Sequence, residues 1–299
     1  MKPDGHTLLV QVASLTGAWF FALVARVIAA GYFLFSPHRC ESVRLYRILF
    51  PHRGVPYHLW CTFRQYQNFT TIHFDRFLSH RGQEADYTVE GDEGLRSLIG
   101  QAGAILLMSH LGNWEMAARL LMRERHDLRL LLYMGVKEKE GVERTQKEEL
   151  RQAGVTIIGE DRMGGSPFAA VEGIRLLREG GIVSMTGDVV WRSDQRSLPV
   201  RVFGHVAYLP EAPFVFALVA GVPIYVFFAF RTGNNRYRLY FSEPIRVEAA
   251  GKAERQAAIT AAAQRYADLL DSALRAHPLE WYHFSRFLHE PATDTVEAP

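Results

Sequence analysis

The pattern of apolar and polar positions divides the chain into two parts. An apolar N-terminal stretch is followed by residues 37–80, where aromatic side chains recur in a helical, amphipathic pattern. From about residue 87, short apolar runs alternate with helical stretches, which is typical of βαβ units. We therefore expect a helical segment (1–80), an α/β domain (81–290) and a flexible tail (291–299). The α/β domain is predicted to hold a mixed, largely parallel sheet flanked by helices.

Several predicted strands are continuous apolar runs, as expected for a sheet that is covered on both faces. The predicted strands are Tyr87–Glu90, Ala104–Ser109, Leu128–Met134, Val155–Ile158, Ile182–Thr186, Ile224–Phe230 and Tyr237–Phe241. The predicted helices are Gly94–Gln101, Asn113–Arg125, Val142–Ala153, Ser166–Glu179, Leu209–Ala220 and Lys252–Ala276. Because ligands of such sheets bind beyond the carboxyl ends of the strands, chemistry is expected in the residues just after each strand.

The N-terminal stretch carries no charged side chain from Thr7 to Ala25, and apolar character continues past Arg26 to Phe35. Its length is just enough to cross a bilayer as a helix. A charge inside the apolar region argues against a secretory signal. We expect a helix that associates with a membrane, either spanning it or lying in its interface, with the basic residues that follow facing anionic lipid. A buried helix of a soluble core is the alternative.

Composition and motif spacing exclude several classes of protein and several kinds of site. With 48% hydrophobic and 22% charged residues, the chain is not disordered, and its net charge of +2 argues against a general nucleic-acid binder. Cys40 and Cys61 do not have the spacing of a metal or redox motif, and no glycine-rich nucleotide loop occurs. We therefore expect no metal and no cofactor.

The strongest candidate for chemistry follows the predicted strand Ala104–Ser109. His110 and Glu115 are separated by Gly112-Asn113, a turn-forming pair in which Asn113 is a good helix N-cap. Glu115 then lies in the first helical turn and can fold back to the His110 ring. A carboxylate on one imidazole nitrogen leaves the other free to take a proton from a hydroxyl. Alternatively, the histidine only ends a strand and the glutamate only favours the helix start.

The run His110–Glu115 resembles the His-x-x-x-x-Asp/Glu signature of the lysophospholipid acyltransferase superfamily, in the form found in bacterial lipid A biosynthesis acyltransferases. Further segments are similar to that family in the same order along the chain. They are Ile182–Asp188, ending in an aspartate, Val202–Ala207 with its Phe-Gly pair, Gly221–Ile224, and His277–Tyr282 with its Pro-x-x-Trp pattern.

The resemblance implies a membrane-associated acyltransferase with His110 as general base and Glu115 as its partner. It would move a fatty acyl chain from an acyl-carrier-protein thioester, or from acyl-CoA, to a hydroxyl of a lipid A precursor. The reaction would take place at the cytoplasmic face of the bacterial inner membrane. Partners would be the acyl donor, the lipid acceptor and the membrane, and no nucleic acid.

Five further residues are expected to bind substrate: Asn113, Arg162, Asp188, Phe203 and Gly204. Arg162 would hold a phosphate of the acceptor, or else pair with a neighbouring acid. Asp188 would position a hydroxyl or an arginine, or else cap a turn. Phe203-Gly204 would let the backbone approach the substrate, or else form an ordinary turn.

Two other functions remain open at this point. The same chemistry could act on a lysophospholipid, an amino-acid lipid or a glycolipid. The chain could also be a catalytically silent lipid-binding protein in which the His110–Glu115 motif is structural.

Overall fold

The computed structural model describes residues 18–80, 85–100, 103–116, 129–135, 156–160 and 167–291. These residues form seven α-helices and nine β-strands. The helices are α1 Ala18–Phe35, α2 Arg39–Leu49, α3 Val55–His80, α4 Asp92–Gly100, α5 Pro167–Arg178, α6 Ala212–Ala220 and α7 Arg255–Ala276. The strands are β1 Asp86–Glu90, β2 Ala104–Met108, β3 Leu130–Gly135, β4 Thr156–Glu160, β5 Ile182–Thr186, β6 Ser197–Val202, β7 His205–Pro210, β8 Ile224–Gly233 and β9 Arg236–Phe241.

Seven of the described strands form one sheet in the order β1-β9-β8-β2-β5-β3-β4. Neighbouring strands run parallel except for β8 and β9, which form an antiparallel pair. The predicted mixed, largely parallel sheet is confirmed, and all seven predicted strands occur with small shifts at their ends. The predicted helices within 94–101, 166–179 and 252–276 are confirmed as well.

Alternating side chains explain why the central strands are apolar throughout. In β2, Ile105 and Leu107 pack into a core with α6 and α7, whereas Leu106 and Met108 pack into a second core on the other face. Helix α7 covers the first face with a stripe at helical spacing, from Ile259 through Tyr266 to Leu274. Both faces of the sheet are therefore buried, which leaves the strand ends as the place for a site.

The run from Ala212 to Phe230 divides as predicted, into helix α6 and strand β8. Gly221 adopts a positive φ of 71° at the end of α6, and Pro223 precedes β8. The predicted start of this helix at Leu209 was wrong, because Leu209 pairs with Leu198 in a two-stranded antiparallel sheet of β6 and β7. The sequence analysis missed this hairpin.

The alternation of Leu198, Val200 and Val202 could have revealed the first strand of the hairpin, since all three are buried with exposed neighbours between them. The connecting pair is Phe203-Gly204. Both residues have positive φ, 53° and 74°, as a two-residue hairpin turn of type I′ requires. This pair therefore forms the turn of the hairpin.

Some predictions lie outside the described residues. They are the predicted membrane-associating run before residue 18, the helix Val142–Ala153, Arg162, the helix Asn113–Arg125 beyond its first residues, and the tail from residue 292. The predicted helical character of residues 37–80 is confirmed by α2 and α3. Among the described helices, none is both long and apolar enough to cross a bilayer.

Candidate active site

His110 and Asp188 meet because β2 and β5 are adjacent parallel strands that end at the same rim. The N–H of Gly187 donates to the carbonyl of Met108 at 2.8 Å, which ties the end of one strand to the end of the other. Gly187 has no room for a side chain, since an added Cβ would lie 2.7 Å from the Tyr266 ring. The residues following the two strands are thereby placed side by side.

The carboxylate of Asp188 is buried and accepts three hydrogen bonds. Its Oδ1 lies 3.0 Å from Nδ1 of the His110 ring, and its Oδ2 accepts the His110 backbone N–H at 2.8 Å and the Trp281 indole N–H at 3.0 Å. Burial opposes ionisation of Asp188. The charge and hydrogen bonds of His110 outweigh it, with His283 and Trp281 adding to the effect, and lower the Asp188 pKa to about 2.

This contact defines the proton arrangement on the histidine. An ionised carboxylate can only accept, so Nδ1 of His110 must carry the proton, and the lone pair of a neutral ring is then on Nε2. The His110 side chain is 29% exposed, whereas Asp188 is fully enclosed. The imidazole therefore has one nitrogen held by a buried acid while the ring remains open to solvent.

The loop after His110 is shaped by its contact with β8. Gly112 has a φ of +76°, and a Cβ there would lie 2.1 Å from the carbonyl oxygen of Ala229. The N–H of Asn113 donates to that same oxygen at 2.8 Å. A glycine is required at position 112 both by the backbone conformation and by this close approach.

Asn113, in the loop, and Glu115, directly after it, are both buried. Glu115 begins the helical residues that follow the loop, as predicted. Asn113 faces Tyr237, and its Oδ1 has no hydrogen-bond partner in the described structure, so the expected side-chain cap is not formed there. The acid at Nδ1 of His110 is Asp188, which the sequence analysis had assigned to substrate. The predicted roles of Glu115 and Asn113 in catalysis and binding stay predictions.

The C-terminal segment around Trp281 packs directly under the His110 loop. The N–H of Gly112 donates to the carbonyl of Glu280, and the N–H of Tyr282 donates to the carbonyl of His110, both at 2.8 Å. The Pro-x-x-Trp pattern that ends at Trp281 is visible in the sequence, but by itself it predicts no role for this tryptophan. The structure shows that its tryptophan is a direct partner of Asp188.

Helices α2 and α3 hold this segment from the other side. Three of their side chains donate to carbonyls of residues 278, 279 and 281; they are Tyr46, Asn68 and Gln65 respectively. The N-terminal helices thus contribute to the support of the site, in addition to any membrane role.

Two aromatic rings flank His110. The centroid of His283 lies 6.0 Å away and that of Trp191 6.2 Å away. Burial lowers the pKa of His283 to about 4, with His110 acting in the same direction and Asp188 opposing it, so His283 is neutral at pH 7. Trp281 and His283 also line a small, open pocket that extends to Arg44 and Glu41 of α2.

A second buried acid lies on α3. Asp75 forms an ion pair with Arg231 of β8 at 2.6 Å and accepts the hydroxyl of Tyr237 at 2.7 Å. Burial and then Asp75 raise the pKa of Tyr237 well above its usual value, and a hydrogen bond with Asn113 opposes the rise. The backbone N–H of Arg231 also donates to the Glu280 carboxylate at 2.9 Å. This cluster joins α3 to the sheet and to the segment under His110.

Phe203, the first residue of the Phe203-Gly204 turn, is anchored on α7. The N–H of Phe203 donates to Asp271 at 2.7 Å, and the Arg275 guanidinium lies 4.5 Å from the Phe203 ring centroid. The expected contact of both turn residues with substrate stays a prediction, as does that of Arg162, which lies outside the described residues. Among the described residues, no group of three or more His, Cys, Asp or Glu side chains is arranged to hold a metal.

Comparison with known proteins identifies the family. No curated protein sequence matches the chain significantly. The family described as "Bacterial lipid A biosynthesis acyltransferase" matches residues 66–289, from within α3 almost to the end of the described chain. The match covers His110, Asp188 and Trp281 and spans well over half of the sequence. The chain therefore belongs to the bacterial lipid A biosynthesis acyltransferase family and is an acyltransferase.

Proposed function

We propose that this acyltransferase transfers a fatty acyl chain from a thioester donor to a hydroxyl of a lipid A precursor, with His110 as general base. The observation that supports the proposal most strongly is the hydrogen bond between Nδ1 of His110 and the buried carboxylate of Asp188. A partly exposed imidazole with this partner is suited to accept a proton at Nε2. Family membership supports the choice of acceptor class.

The reaction follows from this arrangement. The acceptor hydroxyl gives its proton to Nε2 of His110 while its oxygen attacks the thioester carbonyl carbon. The resulting imidazolium is stabilised by the negative charge of Asp188. The tetrahedral intermediate collapses, the carbon–sulfur bond breaks, and the leaving thiolate takes the proton back from His110. No covalent acyl-enzyme is needed.

We retain Glu115 as a second acid of this centre. The resemblance of the His110–Glu115 run supports it, and its carboxylate is buried in the helical residues that directly follow the His110 loop. Because Asp188 occupies Nδ1, the role of Glu115 is one of charge: a second negative group that favours the imidazolium. Arg162, Asp188, Asn113, Phe203 and Gly204 remain our candidates for contacts with the acceptor or its phosphates.

We further propose that the donor is an acyl carrier protein and that the enzyme works at the cytoplasmic face of the inner membrane. An exposed apolar surface on α1 and the start of α3 supports membrane association. Its members are Leu23, Val27, Ile28, Tyr32, Leu34, Phe35, Val55, Leu59 and Trp60. Phe35 is 85% exposed, and the exposed Arg26, Arg47 and Arg53 accompany this surface. Apolar insertion together with basic residues suits anionic lipid.

Vesicle sedimentation tests the membrane proposal. Wild-type protein should bind vesicles that contain anionic lipid, and Val27→Glu with Phe35→Glu should weaken that binding strongly. Val171→Glu on α5 is the matched control, because Val171 is also an exposed apolar residue but lies outside this surface. Equal loss in both variants would contradict the proposed surface.

Mass spectrometry of lipids tests the acceptor. A strain that lacks the gene should make lipid A with one acyl chain fewer, and the wild-type gene should restore it. A gene encoding His110→Ala should not restore it. Intact lipid A with a change in a lysophospholipid, amino-acid lipid or glycolipid would replace the proposed acceptor with that lipid.

A further inference from the structure

The indole of Trp281 makes the only side-chain hydrogen bond to Asp188, among the described residues, that does not come from His110. The ring is buried, stacks on His283 with centroids 5.1 Å apart, and meets Phe287 edge-on at 4.9 Å. These contacts define the plane of the indole. Its N–H therefore points at Oδ2 of Asp188 in one orientation.

The backbone of Trp281 is held equally firmly. Gln65 of α3 donates to its carbonyl, and the residue pairs with Leu111 in an isolated antiparallel bridge directly after His110. A continuous series of hydrogen bonds thus runs from α3 through Trp281 and Asp188 to the His110 ring. The tryptophan lies 93 positions along the chain from the aspartate it contacts.

From this geometry we infer that Trp281 is a positioning residue: its N–H holds the Asp188 carboxylate in the rotation that keeps the His110 proton on Nδ1. Without that donor, Oδ2 retains only the His110 backbone N–H, and the carboxylate can turn about its Cβ–Cγ bond. The imidazole then loses the acceptor that selects its Nδ1–H form. The inference rests on the proposed role of His110 as base, but it concerns a property of the resting protein.

Two other ionisable groups face the same ring: Asp188 approaches from the end of β5, and His283 approaches from the C-terminal segment. Glu115 follows five positions later, in the helical residues after the loop. A measurement of the overall charge around His110 would combine the contributions of all these groups. The distribution of the proton between the two nitrogens of His110 is the more specific measurement, because it depends on which acceptor each nitrogen meets.

The test replaces Trp281 with β-(3-benzothienyl)alanine, in which a sulfur takes the place of the indole N–H and the bicyclic shape is kept. Nitrogen-15 NMR of the His110 ring, without substrate, should show the Nδ1–H form predominating in the wild type and a mixture of both forms in the variant. In the transfer assay kcat should fall about tenfold, the equivalent of one hydrogen bond to a charged group, with KM little changed. Trp281→Phe should change both readouts in the same direction.

Phe287→Leu is the control for packing, since Phe287 touches Trp281 but makes no hydrogen bond to Asp188. It should lower stability and leave the tautomer of His110 unchanged, because stacking on His283 still holds the plane of the indole. An unchanged tautomer in the benzothienyl variant would overturn the inference, whether or not kcat falls. If the wild type transfers no acyl chain, the proposed function fails, while the NMR result still decides the role of Trp281.

Discussion

Two buried acids, Asp188 at the sheet rim and Asp75 on α3, have closely similar surroundings and different consequences. Each is almost inaccessible to solvent and accepts hydrogen bonds from distant parts of the chain. Asp188 faces an imidazole, a group that can accept and release a proton. Asp75 faces the guanidinium of Arg231, which stays charged. The same burial therefore supports proton transfer in one place and a permanent structural link in the other.

The largest difference between the two centres is expected from Asp188→Asn. The amide carries no negative charge to stabilise the imidazolium, and its NH2 group can donate to Nδ1 and so favour the other tautomer of His110. We expect kcat for acyl transfer to fall by about 10³ to 10⁴, as when a catalytic histidine loses its aspartate. The protein should still fold. Measurement of kcat on folded protein, verified by circular dichroism, checks this; a kcat near wild type would mean that Asp188 is only structural.

Asp75→Asn should produce the opposite pattern. It leaves the partly buried Arg231 without its counter-charge, so we expect a loss of about 3 kcal/mol in the free energy of unfolding. The kcat of the molecules that remain folded should stay close to wild type. Denaturant titration measures the loss.

Asp86→Asn is the control for Asp75, because Asp86 pairs with Arg236 at 3.6 Å on the exposed surface. Its effect should be below about 1 kcal/mol. If both variants lose the same small amount, the buried ion pair does not anchor α3 as described.

Acid should weaken the Asp188 centre in a defined interval. The pKa of Asp188 is lowered from 3.8 to about 2, so folding favours the ionised form. The resulting stabilisation is present above pH 4 and is lost as the pH falls towards 2; its size is about 2 kcal/mol. Unfolding free energies at pH 2–5 should fall less steeply for Asp188→Asn than for wild type. If the free energy of unfolding depends on pH in the same way for both proteins, the assignment of an ionised Asp188 is contradicted.

Among the acids assigned to the His110 centre, Glu115 should show the smaller effect on substitution, in the variant Glu115→Gln. We expect kcat to fall about tenfold, the equivalent of about 1.4 kcal/mol, because a charge that favours the imidazolium is lost while Asp188 still holds Nδ1. A loss as large as that of Asp188→Asn would make Glu115 an equal partner of His110. No loss would leave Asp188 as the sole acid of the centre.

Local sequence was sufficient to predict that the site lies at the strand ends of the sheet. It was not sufficient to predict which side chains contact each other there. The apolar runs that became β2 and β5 indicated that His110 and Asp188 both follow buried strands. Their direct contact depends on β2 and β5 being neighbours in the sheet, and strand order is not encoded in periodicity. The nearer acid in sequence, Glu115, was therefore assigned to the ring.

The remaining omissions share this cause. Trp281 and Arg231 act across 93 and 156 positions of the chain, and no local pattern marks either contact. The β6–β7 hairpin is a different case. Its alternating apolar residues and its Phe203-Gly204 pair are local signals of two strands and a turn. The similarity of the segment to a family motif, and a helix start placed too early at Leu209, hid these signals.

The most direct test of the central claim is the rate of acyl transfer by purified protein from acyl carrier protein thioester to a lipid A precursor. The account predicts transfer by the wild type, and loss of at least about 10³ in kcat for His110→Ala, with the fold and the vesicle binding unchanged. Transfer by folded His110→Ala at the wild-type rate would contradict it.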